Sequence, residues 1–202
     1  MKDSLKVLGT HSQSERQQDD YYATPPIALE QLWKEVIFET SSIYDPCVGG
    51  GHINKFFEDK GIITYGSDIV DRGWPNTRIL NFLTTSKKDI ISFLPPRFTI
   101  VTNPPYKKAT EFVEKGMEII PPAGKMIMLL PLRFLEGSTR YKKVFSKYPP
   151  NEVLIFVDRI GCWKNGIEDK TQRSAICYAW FVWKQGFKGT PTIRWIDWKG
   201  RV

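Results

Sequence analysis

A chain of 202 residues, 41% hydrophobic and 25% charged, can bury one full core but not two comfortable ones. Its apolar stretch MIMLL (126–130) is far too short to span a bilayer, and no apolar signal region opens the sequence. Three scattered cysteines (Cys47, Cys162, Cys177) and two histidines (His11, His52) show no metal-site spacing and no disulfide framework, so a reducing cytoplasm is expected, while a net charge of +7 favours a polyanionic partner, most often nucleic acid.

Residues 1–20 are polar and read as a loose tail, leaving 21–202 as a single expected domain. Prolines at the start of PPIALEQLWKEVIF (25–38), followed by apolar residues at helical spacing, predict a helix. In residues 41–61 a short strand runs into Asp45, a glycine-rich turn follows, and a helix extends from about His52 to Gly61. IITYGSD (62–68) is a second strand ending in an acid, and RILNFL (78–83) reads as a third. DIISFL (89–94) is expected to be helical with Asp89 as its cap; FTIVTN (98–103), ATEFVEKGMEII (109–120) and GKMIMLLP (124–131) then read as strand, helix and strand. EVLIFV (152–157) and SAICYAWFVWK (174–184) are strands with no helical pattern between them. This alternation predicts an α/β fold with a doubly wound, mostly parallel sheet, completed by an antiparallel strand near the C-terminus.

In such sheets ligands bind beyond the carboxyl ends of the strands, where DPCVGGG (45–51) sits. The turn lacks the Gly-Lys-Ser/Thr ending of a triphosphate loop, and a carboxylate at Asp45 repels a pyrophosphate but attracts an ammonium. Asp68, ending the next strand, suits a ribose diol. A ligand with an amino acid at one end and a ribose at the other satisfies both acids, and S-adenosylmethionine is such a ligand.

DPCVGGG, the later acid and NPPY (103–106), with YYATPP (21–26) upstream, resemble the S-adenosylmethionine-dependent methyltransferases that modify adenine N6 in DNA, in particular small phage-type enzymes without a separate target-recognition domain. The likeness covers roughly residues 20–131 well and the rest loosely. It implies that Asp45, Gly49 and Gly51 face the methionine part of the cofactor, that Asp68 holds the ribose hydroxyls, and that Ile69 packs on the adenine ring. Tyr22, Thr24 and Pro25 would close the pocket, and Pro46, Phe82 and Asn103 are further cofactor contacts. Where the family usually has Asp-Phe-Leu, this chain has Asn81-Phe82-Leu83; an amide oxygen still accepts a hydrogen bond from the adenine amino group.

The Asn-Pro-Pro-Tyr stretch fits chemistry on an aromatic amino group, whose lone pair is delocalised. The Asn103 side-chain oxygen and the Pro104 carbonyl are two acceptors for its N–H groups, and consecutive prolines aim carbonyls without a competing N–H. Tyr106 offers a face for a flipped base, completing a catalytic set of Asn103, Pro104, Pro105 and Tyr106. Lys107, Lys108, Arg133, Arg140, Lys142, Lys143, Lys164 and Arg173 are the candidate contacts to DNA phosphates. An RNA adenine or a protein glutamine also presents NH2 beside a π system, and a non-catalytic nucleic-acid-binding relative is the remaining alternative. The substrate expected is DNA, with a short or relaxed sequence context and no metal.

Overall fold

The computed structural model describes residues 21–122, 124–164, 166 and 174–200, with only the backbone at Lys164. The predicted tail lies outside these residues. Tyr22–Ala23 form β1 and Pro26–Glu35 form α1, which opens on prolines at positions where a helix has no use for an N–H. Then β2 (Ser42–Asp45) leads to α2 (His52–Asp59), and β3 (Ile63–Asp68) leads through β4 (Arg78–Ile79) to α3 (Lys87–Ile91). β5 (Thr99–Thr102) leads to α4 (Ala109–Ile119), and β6 (Lys125–Pro131) to short helical turns ending at Phe145. β7 (Glu152–Phe156), β8 (Trp163–Lys164), β9 (Tyr178–Lys184) and β10 (Thr192–Ile196) follow.

The main sheet has eight strands in the order β10-β7-β9-β6-β5-β2-β3-β4. All are parallel except β9, which runs antiparallel to both β6 and β7. β1 and β8 form a separate antiparallel ribbon, with Tyr22 opposite Lys164 and Ala23 opposite Trp163. Successive side chains of each strand feed opposite faces. Tyr44, Ile100, Met126, Met128 and Phe181 join Ile90 of α3 and Phe112 and Val113 of α4 in one core. Ile43, Val101, Ile127, Leu129 and Trp180 join Leu29 and Leu32 of α1 and Ile53 and Phe57 of α2 in the other. Both faces of the central strands are therefore covered, which is why they read as unbroken apolar runs.

From β2 the chain builds outward through β3 and β4, then returns to place β5 on the other side of β2. The order reverses at β2, and a crevice opens there beyond the strand ends. Asp45, Asp68 and Thr102 end the three neighbouring strands at that crevice.

Two expectations change, and further strands appear. Within 78–83 only Arg78–Ile79 is strand, because the Asn81 side-chain oxygen accepts the Leu83 amide at 3.0 Å and turns the chain. The third helix begins at Lys87: Ser86 is its cap, accepting the Asp89 amide at 3.1 Å while its hydroxyl donates to the Asp89 carboxylate at 2.7 Å. β10 was unforeseen, although Thr-Ile-Arg-Trp-Ile alternates as an edge strand does.

Candidate active site

The glycine turn is held by its own amides. Cys47 N–H donates to Asp45 Oδ1 at 2.9 Å, Val48 N–H to the Ser67 carbonyl at 3.1 Å, and Gly49 N–H to Asp68 Oδ2 at 2.8 Å. Gly50 N–H donates to the Tyr21 hydroxyl at 2.8 Å, and Gly51 N–H to the Val48 carbonyl at 2.8 Å. Gly49 (φ 54°) and Gly51 (φ 80°) also admit rings: a Cβ on Gly49 would stand 2.2 Å from the Tyr21 ring, and one on Gly51 1.9 Å from that of Trp74.

Asp45 is 1% exposed. Its Oδ1 accepts from the Thr102 hydroxyl at 2.7 Å as well as from Cys47, while Oδ2 is buried with no hydrogen-bond partner. Burial, with a smaller push from the Asp68 charge, raises its pKa to about 7 against the pull of those two donors. Burial likewise pushes the Cys47 thiol well up, which disfavours the thiolate a nucleophile requires.

A cavity of about 270 Å³ opens over this floor. It is lined by Tyr21, Tyr22 and Thr24 from the segment around β1, by Asp68, Ile69 and Arg72 from the end of β3 and its loop, by Asn81, Phe82 and Leu83, and by Asn103, Pro105, Lys108 and Phe112 from the segment after β5. Most residues expected at a cofactor, Tyr22, Thr24, Asp45, Pro46, Asp68, Ile69, Asn81, Phe82 and Asn103, line this one space. Pro25, Gly49 and Gly51 do not, the two glycines being taken up by packing of Tyr21 and Trp74. Asp68 accepts Gly49 N–H on Oδ2 and Val70 N–H at 3.1 Å on Oδ1, and a carboxylate's roughly four lone-pair sites leave two for a diol. Ile69 is 60% exposed and offers an apolar face. Three side-chain atoms in this wall are buried without partners: Thr24 Oγ1, Asp45 Oδ2 and Arg72 Nε. Sequence reading passed over Tyr21, His52 and Arg72, whose only signal was their nearness to the quoted motifs.

Asn103 projects from the end of β5 with its amide fixed at both ends. Nδ2 donates to the Tyr22 carbonyl at 2.8 Å, and Oδ1 accepts from the Tyr106 hydroxyl at 3.0 Å. The Pro105 carbonyl starts a tight helical turn by accepting Lys108 N–H at 2.8 Å. Tyr106 packs against both cores, its ring 5.8 Å from that of Tyr178, and burial holds its phenol in the neutral, donating form. A second cavity of about 10 Å³ lies among Tyr22, Asn103, Pro104, Pro105 and Tyr106. The two cavities share Tyr22, Asn103 and Pro105.

Of the basic candidates, Lys107, Lys108, Arg133, Lys142 and Lys143 are exposed, and Lys108 pairs with Glu111 at 3.5 Å. Arg140 is committed to its own loop: it donates to the carbonyls of Arg133, Phe134 and Glu136, and its guanidinium lies 4.6 Å from the centre of the Phe134 ring. The Lys164 side chain and Arg173 lie outside the described residues. Among the described residues no group of His, Cys, Asp or Glu side chains could hold a metal ion, and no helix is long and apolar enough to cross a membrane.

No protein-family model and no curated protein matches the sequence. The fold, however, is similar to those of solved structures. A modification subunit of a putative type I restriction enzyme from Vibrio vulnificus superposes with a TM-score of 0.58 at 12% identity, over 88% of this chain and 47% of that one. A predicted O-methyltransferase from Agrobacterium tumefaciens gives 0.60 at 12% identity over 89% and 91%. A putative class I S-adenosylmethionine-dependent methyltransferase from Listeria monocytogenes gives 0.57 at 15% identity over 87% and 65%. The chain thus spans about half the length of the restriction-enzyme subunit. Likeness at such identities is one of fold.

Proposed function

We propose that this chain transfers a methyl group from S-adenosylmethionine to the N6 amino group of adenine in DNA, within a short or relaxed sequence context. The observation that carries the reading is a pair of cavities that share Asn103 in their lining: the larger holds a buried carboxylate oxygen without a partner, and the smaller is lined by Asn-Pro-Pro-Tyr and Tyr22. The residues present fit the cofactor. Asp45 Oδ2 receives an ammonium, Asp68 retains acceptors for ribose hydroxyls, and Ile69 and Phe82 offer apolar surface to an adenine. The glycine turn, its amides already bonded, offers nothing to a pyrophosphate.

When bound, the cofactor supplies an electrophilic sulfonium methyl. The chain holds the acceptor nitrogen. Asn103 Oδ1 keeps one lone pair beyond the Tyr106 hydroxyl, and with the Pro104 carbonyl it takes the two N–H groups of the target. Both acceptors favour the more tetrahedral nitrogen of the transition state. Asn103, a neutral amide, is no base, so the surplus proton leaves to solvent. A space of about 10 Å³ holds at most a water, so a base enters only once the lining opens around it.

DNA is favoured over protein by the net charge of +7 and by the strand ends. Lys107 follows β5 and Arg133 follows its parallel neighbour β6, so both leave the sheet at the carboxyl end that carries Asn103. The restriction-enzyme likeness adds to this reading. The test is incubation with methyl-labelled cofactor and DNA, RNA or protein, followed by digestion of the labelled product. N6-methyladenine in DNA is expected; label in glutamine or RNA moves the assignment to those substrates, and no label anywhere overturns it.

A further inference from the structure

The glycine turn has spent its N–H groups: from Cys47 to Gly51 each donates within the protein, Gly50 to the Tyr21 hydroxyl. An amino-acid ligand whose ammonium meets Asp45 still needs donors for its carboxylate, and this turn supplies none. We infer that Arg72, held by the Tyr21 ring, receives the carboxylate of the cofactor's amino-acid end.

Arg72 belongs to the loop after β3, which on position alone could serve either end of the ligand. Its neighbours decide which. Trp74, two residues on, seats its ring in the space left by the missing Cβ of Gly51. The Arg72 guanidinium lies 4.8 Å from the centre of the Tyr21 ring, and that ring rests on Gly49 with its hydroxyl on Gly50. Two contacts thus bring the loop back onto the glycine turn that begins at Asp45. Arg72 lines the cavity there, and its Nε is buried without a partner. The other cation of the wall, Lys108, follows the catalytic tetrapeptide and already pairs with Glu111 at 3.5 Å. Arg72 is therefore the cation set against the glycine turn, and an unpaired buried N–H has most to gain from a carboxylate.

The inference rests on the cofactor reading, and binding alone separates the two. Calorimetry on the full chain compares S-adenosylmethionine with its decarboxylated analogue, which keeps the amine and the sulfonium. Arg72→Gln is expected to weaken S-adenosylmethionine by about tenfold to a hundredfold, the worth of a charge-assisted hydrogen bond, and to leave the decarboxylated analogue within about twofold. Equal loss for both ligands, or for neither, overturns the assignment: Arg72 then acts only through Tyr21, or not at all. Wild-type protein that binds neither ligand overturns the cofactor reading itself. Should Arg72→Gln not fold, Arg72→Lys decides by the same comparison, since it keeps a charge but loses the planar fork.

Discussion

A carboxylate buried beside a second carboxylate is a proton trap until a cation arrives. Asp45 at a pKa of about 7 holds its proton in mildly acidic solution, and an ammonium binds only the ionised form. Affinity for S-adenosylmethionine should fall about tenfold per pH unit as pH drops below 7. For stability the sign reverses. From the usual carboxylate range up to about pH 7, the folded chain keeps a proton that the unfolded chain has released, so stability declines as pH rises through that window. Asp45→Asn should flatten both curves, and titration calorimetry with urea denaturation across pH 5–8 reads them. Asn103 makes a second prediction. Asn103→Ala should abolish turnover while cofactor affinity changes little, because its acceptor acts on the target. Tyr106→Phe loses one neutral hydrogen bond to Asn103, worth about 1 kcal/mol, and should lower kcat by roughly fivefold. Tyr106→Ala, which also loses a stacking face worth about 1–3 kcal/mol, should cost more. Single-turnover assays distinguish the two.

At the scale of elements, the link between the turn and the loop after β3 is a ring on a glycine. Gly51→Ala places a Cβ 1.9 Å from the Trp74 ring at a φ of 80°, which a side chain rarely adopts. Left-handed strain and overpacking together should cost about 2–4 kcal/mol. In the background of Trp74→Ala the same change should cost only about 1–2 kcal/mol, the strain alone. Equal costs in a denaturation cycle would show that the ring does not seat there. This contact also marks the limit of what the sequence discloses. Strand and helix order, the carboxylates at the ends of β2 and β3, and the tetrapeptide after β5 were legible because each rests on local periodicity or a short motif. The partners of Gly49 and Gly51 were not: Tyr21 and Trp74 lie 28 and 23 residues away, and nothing local tells a glycine that admits a ring from one that admits a ligand. Asn81 misled for a related reason, since a side chain that bonds its own backbone ends a strand its neighbours would have extended.

For the whole molecule, the net charge of +7 predicts how binding answers to salt. Lys142 and Lys143 are exposed on the turn after β6. Neutralising both should weaken DNA binding on all sequences alike and flatten the slope of log affinity against log salt by about 2. Fluorescence anisotropy across a salt series measures this, and an unchanged slope removes both lysines from the interface. The place of β9 bears on how such a chain can be made. It is the last strand but one to be synthesised, yet it lies between β6 and β7, and its Trp180 and Trp183 donate to the carbonyls of Ala28 and Tyr148, both at 3.0 Å. Until it leaves the ribosome, β6 and β7 have no neighbour on their facing edges and both cores lie open. A message cut short before residue 178 therefore yields no smaller folded protein, but a sticky product with unpaired edges, fit for chaperones and proteases.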